Sequence, residues 1–332
     1  PGRTGATWKL TEVYTGEVLV ELPPQSTEQD IEEAFAEARA AQELWAQWPV
    51  AKRLEVFDRA HTLLVDNAHT TADLIQVESG KNRRMAIEET CDPPMVMSYY
   101  LRRAKKLLAP KKHGGPVPIV SGSTEVRVPK GVVGIIAPWN FPFATGLSDA
   151  IPALIAGNAV VVKPDNKTAL SPLYGISLLE EAGLPKGLFQ VVCGEGPDIG
   201  PTLIDNADYV MFTGSTATGR VIGERAGRNL IGCCLELGGK NPMIVLDDVN
   251  VEEWVEHHLR RLRQHRPDLH AHRADLPPRE PVRRAEVGLR RAGREPADRR
   301  GLRLRARDRL AGQPRPPRPR RVARGGRRRE GG

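Results

Sequence analysis

Residues 209–245 hold two groups of side chains able to do chemistry. The first is Phe212-Thr213-Gly214-Ser215-Thr216-Ala217-Thr218-Gly219. The apolar residues 209–212 predict a short buried strand, Gly214 opens a turn, and Thr216–Arg228 carry a helical pattern. A strand, a glycine turn and a helix N-terminus make an anion site. The first N–H groups of the helix lack intrahelical acceptors, and the helix dipole favours negative charge. The second group is Leu235-Glu236-Leu237-Gly238-Gly239-Lys240. A carboxylate between two leucines is costly to bury unless it has a task. Burial raises its pKa and makes it a usable base near neutral pH. Taken singly, each group has a plain reading. Strand–glycine–helix turns occur throughout α/β proteins, and a Glu beside Gly-Gly is often a turn residue.

Other segments must position these groups. Residues 8–22 alternate apolar and polar around Thr15-Gly16 and predict a hairpin. Residues 26–48 predict a helix, with Ser26 and Gln29 as a capping box and Ile31, Phe35, Ala38 and Leu44 on one face. Residues 50–76 predict a second helix with Leu54, Phe57, Leu64 and Ile75 inward, and His61 packed at its boundary rather than serving as a ligand. Residues 83–108 predict a third, interrupted at Pro93-Pro94, and residues 124–128 a strand. From Gly131 the pattern becomes α/β. Strands are expected at Val132–Ile136, 159–162, 188–192, 209–212, 233–235 and 243–246, with helices at 144–156, 171–182 and Thr216–Arg228 between them. Such alternation predicts parallel crossover units in a doubly wound sheet, whose ligands bind at the carboxyl ends of the strands. Pro138-Trp139-Asn140, Lys163-Pro164, Gly194-Glu195-Gly196 and Gly214-Ser215 all fall there.

FTGSTATG followed by LELGGKNP resembles the aldehyde dehydrogenase superfamily, as does Pro138-Trp139-Asn140-Phe141-Pro142. The resemblance covers about residues 7–255. In wording such as DAIPALIAGNAVVVKPD it is nearest to bacterial NADP-dependent succinate-semialdehyde dehydrogenases. It implies that Glu236 is the general base and that Asn140 donates its amide to an oxyanion; the plain alternative for Asn140 is holding its Pro-rich loop. It implies a cofactor, NADP or NAD, bound by Ile136, Pro138, Trp139, Lys163, Asn166, Gly196, Phe212, Thr213, Gly214, Ser215, Gly219 and Leu237. Lys163 would bond the adenosine ribose. Asn166 stands where many NAD-using members carry a Glu; a neutral side chain there, with Lys167 beside it, favours a 2′-phosphate and hence NADP. The implied substrate is a small aldehyde, and the family is usually homo-oligomeric. The implied mechanism has a Cys thiolate attack the aldehyde, hydride pass to the nicotinamide, and the Glu activate water. The family's Phe-x-Asn-x-Gly-Gln-x-Cys motif would fall near position 270, where this chain has Leu269-His270. Cys233 and Cys234 lie too close to Glu236 to replace it and read as packed strand residues.

A length of 332 residues suggests about two domains. The longest uncharged run, residues 131–148, is broken by Pro138, Asn140 and Pro142, so no membrane span is expected. The chain starts at Pro1, a processed terminus or a fragment edge, without a signal-peptide pattern. Four cysteines without zinc or redox spacing predict reduced thiols and a cytoplasmic protein.

The net charge of +8 is unevenly spread: residues 257–332 hold 25 Arg and 8 Asp or Glu, a formal +17, leaving −9 for the first 256 residues. Residues 257–332 use only Leu, Arg, Gln, His, Pro, Asp, Ala, Glu, Val and Gly. These are the residues whose codons can all begin with C or G, as in a GC-rich gene read out of frame. Disordered tails favour Ser and Lys, and nucleic-acid-binding tails mix Lys with Arg. The expected organisation is therefore an N-terminal and dinucleotide-binding domain over residues 1–250 and a disordered, out-of-frame tail over residues 251–332, with the catalytic domain missing. His257, His258, His265, His270 and His272 are expected to be coincidental, with no metal site. The competing reading is a non-catalytic nucleotide-binding protein whose basic arm binds nucleic acid non-specifically.

Overall fold

The computed structural model describes residues 7–22, 24–117, 121–240 and Asn250. The strand expected at 243–246, the five histidines and the Arg-rich tail lie outside the described residues. Apart from Asn250, the described residues fall in one unit.

The chain opens with the expected antiparallel hairpin, β1 (Trp8–Thr11) and β2 (Val18–Leu22). Helix α1 (Glu28–Ala46) follows, capped one residue later than expected. Thr27 and Asp30 form the capping box, because Ser26 is already committed: its Oγ accepts the Cys193 N–H at 3.1 Å, and its own N–H donates to Cys193 O at 2.7 Å. Ile31, Phe35, Ala38 and Trp45 are buried, whereas Leu44 is exposed. A residue seven after Ala38 returns to nearly the same face at about 100° per residue, and one six after does not.

The long second helix is two, α2 (Val50–Asp66) and α3 (Ala68–Ser79), broken at Asn67. There the Asn67 amide donates to Leu63 O at 2.9 Å, while its Oδ1 accepts from Tyr174 Oη at 2.8 Å. His61 is half-buried with a ring nitrogen 2.9 Å from Ser98 Oγ, as expected of a boundary histidine. The third helix is likewise two, α4 (Arg83–Thr90) and α5 (Asp92–Leu108). Pro93 and Pro94 occupy the first turn of α5, where a missing N–H costs nothing. An exposed hairpin, β3 (Lys111–Gly114) with β4 (Gly122–Glu125), precedes the sheet.

Five parallel strands form that sheet: β5 (Val132–Ile136), β6 (Ala159–Lys163), β7 (Phe189–Val191), β8 (Tyr209–Gly214) and β9 (Gly232–Leu237), in the order β7-β6-β5-β8-β9. The chain moves one way from β5 to β7, then crosses to β8 and moves the other way. Right-handed crossovers therefore place the connecting helices on opposite faces. On one side lie α6 (Pro142–Leu147), α7 (Ala150–Ile155) and α8 (Leu170–Glu181). On the other lie α9 (Gly196–Asn206) and α10 (Thr216–Arg228). The helix expected at 144–156 is thus α6 and α7, and α9 has no counterpart among the expected helices. Helix α1 packs beside α9 and over β6 and β7, whereas α2 packs on α7 and α8, so the N-terminal helices complete both layers. Val132, Ile135, Val160, Val161, Val162 and Val210 are buried between them.

Helix α8 is capped from a distance. Glu78, on α3, accepts the N–H groups of Leu170 at 2.8 Å and Ser171 at 3.2 Å, together with the Ser171 hydroxyl. Burial pushes its carboxyl up to about 7 from 4.5, against these hydrogen bonds, and Glu89 adds a smaller upward push. A raised folded pKa stabilises fully below the unfolded value and loses that contribution as pH rises through the folded one. Stability is therefore expected to fall as pH rises from about 4.5 to about 7. Glu78→Gln should shrink the difference in unfolding free energy between acidic and mildly alkaline buffer by on the order of 2 kcal/mol, read from urea titrations. An unchanged difference would remove Glu78 as its source.

Candidate active site

The pairing registers gather the expected residues at one edge of the sheet. Ile136, which ends β5, is level with Lys163 on β6 and with Phe212 on β8. One step further, Thr213 faces Glu236 and Gly214 faces Leu237. Beyond this edge run Pro138-Trp139-Asn140, Pro164-Asp165-Asn166, Gly194-Glu195-Gly196 and Gly214-Ser215. The strand order reverses between β5 and β8, where an open α/β sheet parts its loops into a crevice.

Across the β8–α10 turn, Ser215 caps the helix, its Oγ accepting the Thr218 N–H at 3.1 Å. The Gly238 N–H donates to Gly214 O at 3.2 Å and joins the ends of β8 and β9. At Gly219 a Cβ would lie 2.4 Å from Leu237 Cδ2, so glycine lets α10 approach β9 closely. In this turn Thr216 and Ala217, the first helical residues, point their N–H groups out of the helix end, as an anion site requires.

Glu236 does not sit as expected. It is exposed, and the two leucines beside it do not bury it. The reason is strand alternation. Leu235 and Leu237 face α10, within reach of Gly223 and Gly219, and Glu236 faces the opposite way with Cys234. On that side its charge acts on Asp149, which directly precedes α7. Burial, then Glu236 and Asp92, together push the Asp149 carboxyl up to about 6. The Cys234 thiol is raised by burial, then by Glu236 and Asp149. Its carboxylate neighbours disfavour a thiolate, which makes Cys234 a poor nucleophile.

Lys163 is buried, its Nζ donating to Pro164 O at 3.0 Å. Burial lowers its pKa, opposed by Asp165, Cys193 and Glu195. Asn166 donates from Nδ2 to Glu195 Oε1 at 3.2 Å. Three buried side-chain polar atoms among the described residues have no hydrogen-bond partner: Asn140 Oδ1, Asn166 Oδ1 and Thr168 Oγ1. Orphaned buried polar atoms are rare and call for an explanation. Two of these three belong to expected site residues; Thr168, two positions after Asn166, carries no sequence signal that marks it.

The loop bearing Asn140 is held from below by residues that sequence reasoning missed. Glu89 Oε1 accepts the N–H groups of Phe143 at 3.0 Å and Ala144 at 3.3 Å, at the N-terminus of α6. Its other oxygen pairs with Lys81, whose Nζ also lies 3.9 Å from the centre of the Phe141 ring. Burial raises the Glu89 carboxyl and lowers the Lys81 ammonium, while their mutual attraction opposes both shifts.

A reversing parallel sheet with a glycine turn, a helix N-terminus and two unpartnered buried amide oxygens at its carboxyl edge makes this a doubly wound α/β protein. The comparisons with known proteins narrow this. The pattern of the aldehyde dehydrogenase family matches residues 2–265, and the chain belongs to that family. A protein of Mycolicibacterium smegmatis named as a candidate succinate-semialdehyde dehydrogenase using NADP(+) is 51% identical over 236 residues, covering 71% of this chain and 46% of that protein. Among solved structures, an Escherichia coli NADP-dependent enzyme superposes with a TM-score of 0.79 at 27% identity, covering 87% of this chain and 60% of that one. The NADP-dependent glyceraldehyde-3-phosphate dehydrogenase of Bacillus halodurans, solved with NADP, gives 0.70 at 32% identity, covering 76% and 54%. The chain thus spans about half the length of its curated relative, 46%. No helix among the described residues is long and apolar enough to cross a membrane. No group of three metal-ligating side chains occurs among them either.

Proposed function

We propose that the described residues form the cofactor-binding part of an NADP- or NAD-dependent aldehyde dehydrogenase, with residues 1–250 as one domain. The observation that carries this reading is the pair of orphaned amide oxygens, Asn140 and Asn166, at the carboxyl edge of the reversing sheet. Lys163 and Asn166 lie where an adenosine ribose would be held, and the N-terminus of α10 suits a pyrophosphate. The bound dinucleotide would accept hydride. Asn140 would donate its side-chain amide to the oxyanion, and Glu236, open to solvent, would take a proton from water. The names of the relatives favour NADP and, as substrate, succinate semialdehyde or another small aldehyde. The chain supplies a base and an oxyanion donor but not the family's Phe-x-Asn-x-Gly-Gln-x-Cys nucleophile motif, so we expect it to be inactive as written.

Calorimetric titration of the full chain with NADP and with NAD tests the cofactor site. Lys163→Ala should weaken both by roughly tenfold, the loss of one charge-assisted bond. Failure of both nucleotides to bind the parent chain overturns the reading.

A further inference from the structure

The loop after β7 brings a carboxylate to the place where the neutral Asn166 stands. Glu195 Oε1 is 3.2 Å from Asn166 Nδ2, across a sequence separation of 29. Pairing of β6 with β7, Val162 against Val191, brings the two loops together. The backbone of Glu195 is fastened. Its N–H donates to Gln25 Oε1 at 3.2 Å, and Gln25 Nε2 donates in turn to Asp198 Oδ2 at 3.3 Å. Just before it, Cys193 and Ser26 exchange two hydrogen bonds. At Gly194 a Cβ would lie 2.8 Å from both Gln25 Cγ and Ile199 Cγ2, so this stretch is packed tightly. The Glu195 carboxylate thus reaches Asn166 from an anchored support. The Oδ1 of Asn166 is buried with no partner among the described residues.

We infer that Glu195 is a specificity-determining residue for the cofactor: its carboxylate accepts a hydrogen bond from a ribose 2′-hydroxyl and repels a 2′-phosphate. The inference rests on the reading that Lys163 and Asn166 hold the adenosine ribose. A neutral Asn166 beside Lys167 would by itself admit the 2′-phosphate readily. Glu195 returns to that position the negative charge that Asn166 omits. A hydroxyl can donate to a carboxylate, whereas a phosphate brings charge of the same sign and no donor at neutral pH. Glu195 therefore holds down the NADP preference that the other two residues create.

The test is calorimetric titration of the full chain and of Glu195→Gln and Asp198→Asn with NADP and with NAD, folding of each being checked by circular dichroism. The amide introduced by Glu195→Gln keeps an oxygen for the Asn166 side chain but carries no charge. This variant is expected to raise NADP affinity relative to NAD about tenfold, and Glu195→Ala should shift the ratio the same way. Asp198→Asn, which removes a charge held away on Gln25, should leave the ratio near that of the parent. An unchanged ratio in Glu195→Gln, or an equal shift in Asp198→Asn, overturns the inference while leaving the nucleotide site intact. Failure of both nucleotides to bind any of these chains overturns the site reading, and this inference with it.

Discussion

Lys81→Met is expected to destabilise the fold by about 3–5 kcal/mol, the cost of removing one partner of a buried ion pair. The Glu89 side chain is 0% exposed and that of Lys81 is 11% exposed, so water screens neither. Without Lys81, Glu89 keeps its two N–H donors from Phe143 and Ala144 but loses its counter-charge. The neighbouring Glu78 carboxyl makes matters worse, since Glu89 and Glu78 repel. The partner change Glu89→Gln should recover most of the loss in the Lys81→Met background. The amide oxygen can still accept from α6, and no buried charge remains. Urea unfolding of the two single variants and the double variant measures this. A cost below about 1 kcal/mol for Lys81→Met would place the pair outside the determinants of stability. A double variant no more stable than Lys81→Met would locate the loss elsewhere, for example in the lost contact with the Phe141 ring. Trp139 lies two positions before Phe141, so its fluorescence should report movement of the Asn140 loop in the single variant.

This dependence on Lys81 and Glu89 marks where the sequence stops being legible. Strands β5, β6 and β8 could be read directly, because Val132–Ile136, Ala159–Lys163 and the apolar start of Tyr209–Gly214 are short β-branched or apolar runs between turn signals. Helix α10 was legible at both ends, since Gly214 marks the turn before it and the pattern runs unbroken to Arg228. Helix α9 was not: Gly196, Pro197, Gly200 and Pro201 within its span weigh against a helix, and its packing on α1, α10 and β5 overrides them. The β3–β4 hairpin was also missed in part, because Lys111-Lys112-His113 has no buried face to set an alternation. Breaks such as Asn67 depend on tertiary hydrogen bonds from Tyr174 that no local pattern reveals. For the candidate site, the order of strands and helices put Asn140, Lys163, Ser215 and Glu236 at the carboxyl ends of strands, and the structure has them at that edge. That order could not say that Glu236 turns away from its leucines, nor that Glu195 would meet Asn166. Both follow from strand register, which the sequence specifies only through the whole sheet.

Restoring the reading frame between codons 250 and 262 is expected to have the largest effect of all: from no aldehyde oxidation to measurable turnover. The residues alone carry the reason. If the true codons are offset by one base, the second base of each written codon is the first base of a true one, and the next written codon supplies the third. Leu262, Gln264, Arg266, Pro267 and Leu269 then give T, A, G, C and T. Their followers Arg263, His265, Pro267, Asp268 and His270 give C, C, C, G and C, taking the C-initial codons for Arg. The wobble base between them completes TTC, AAC, GGC, CAG and TGC, which read Phe, Asn, Gly, Gln and Cys at the spacing of the family's nucleophile motif. First and third bases of all five fixed positions are permitted, and the cysteine codon straddles Leu269 and His270. The +17 of residues 257–332 would not stand in for a thiolate, because added positive charge attracts phosphate but supplies no nucleophile. The corrected protein should oxidise a small aldehyde, with Glu236→Gln and Asn140→Ala each lowering kcat by roughly a hundredfold or more. Resequencing the gene around these codons is the first check, and a stop codon or the lack of a cysteine in the offset frame would end the proposal. Assay of the purified written chain is the second. Turnover that disappears when Cys233 or Cys234 is replaced would show that the strand β9 thiols act after all, against the carboxylates that face Cys234.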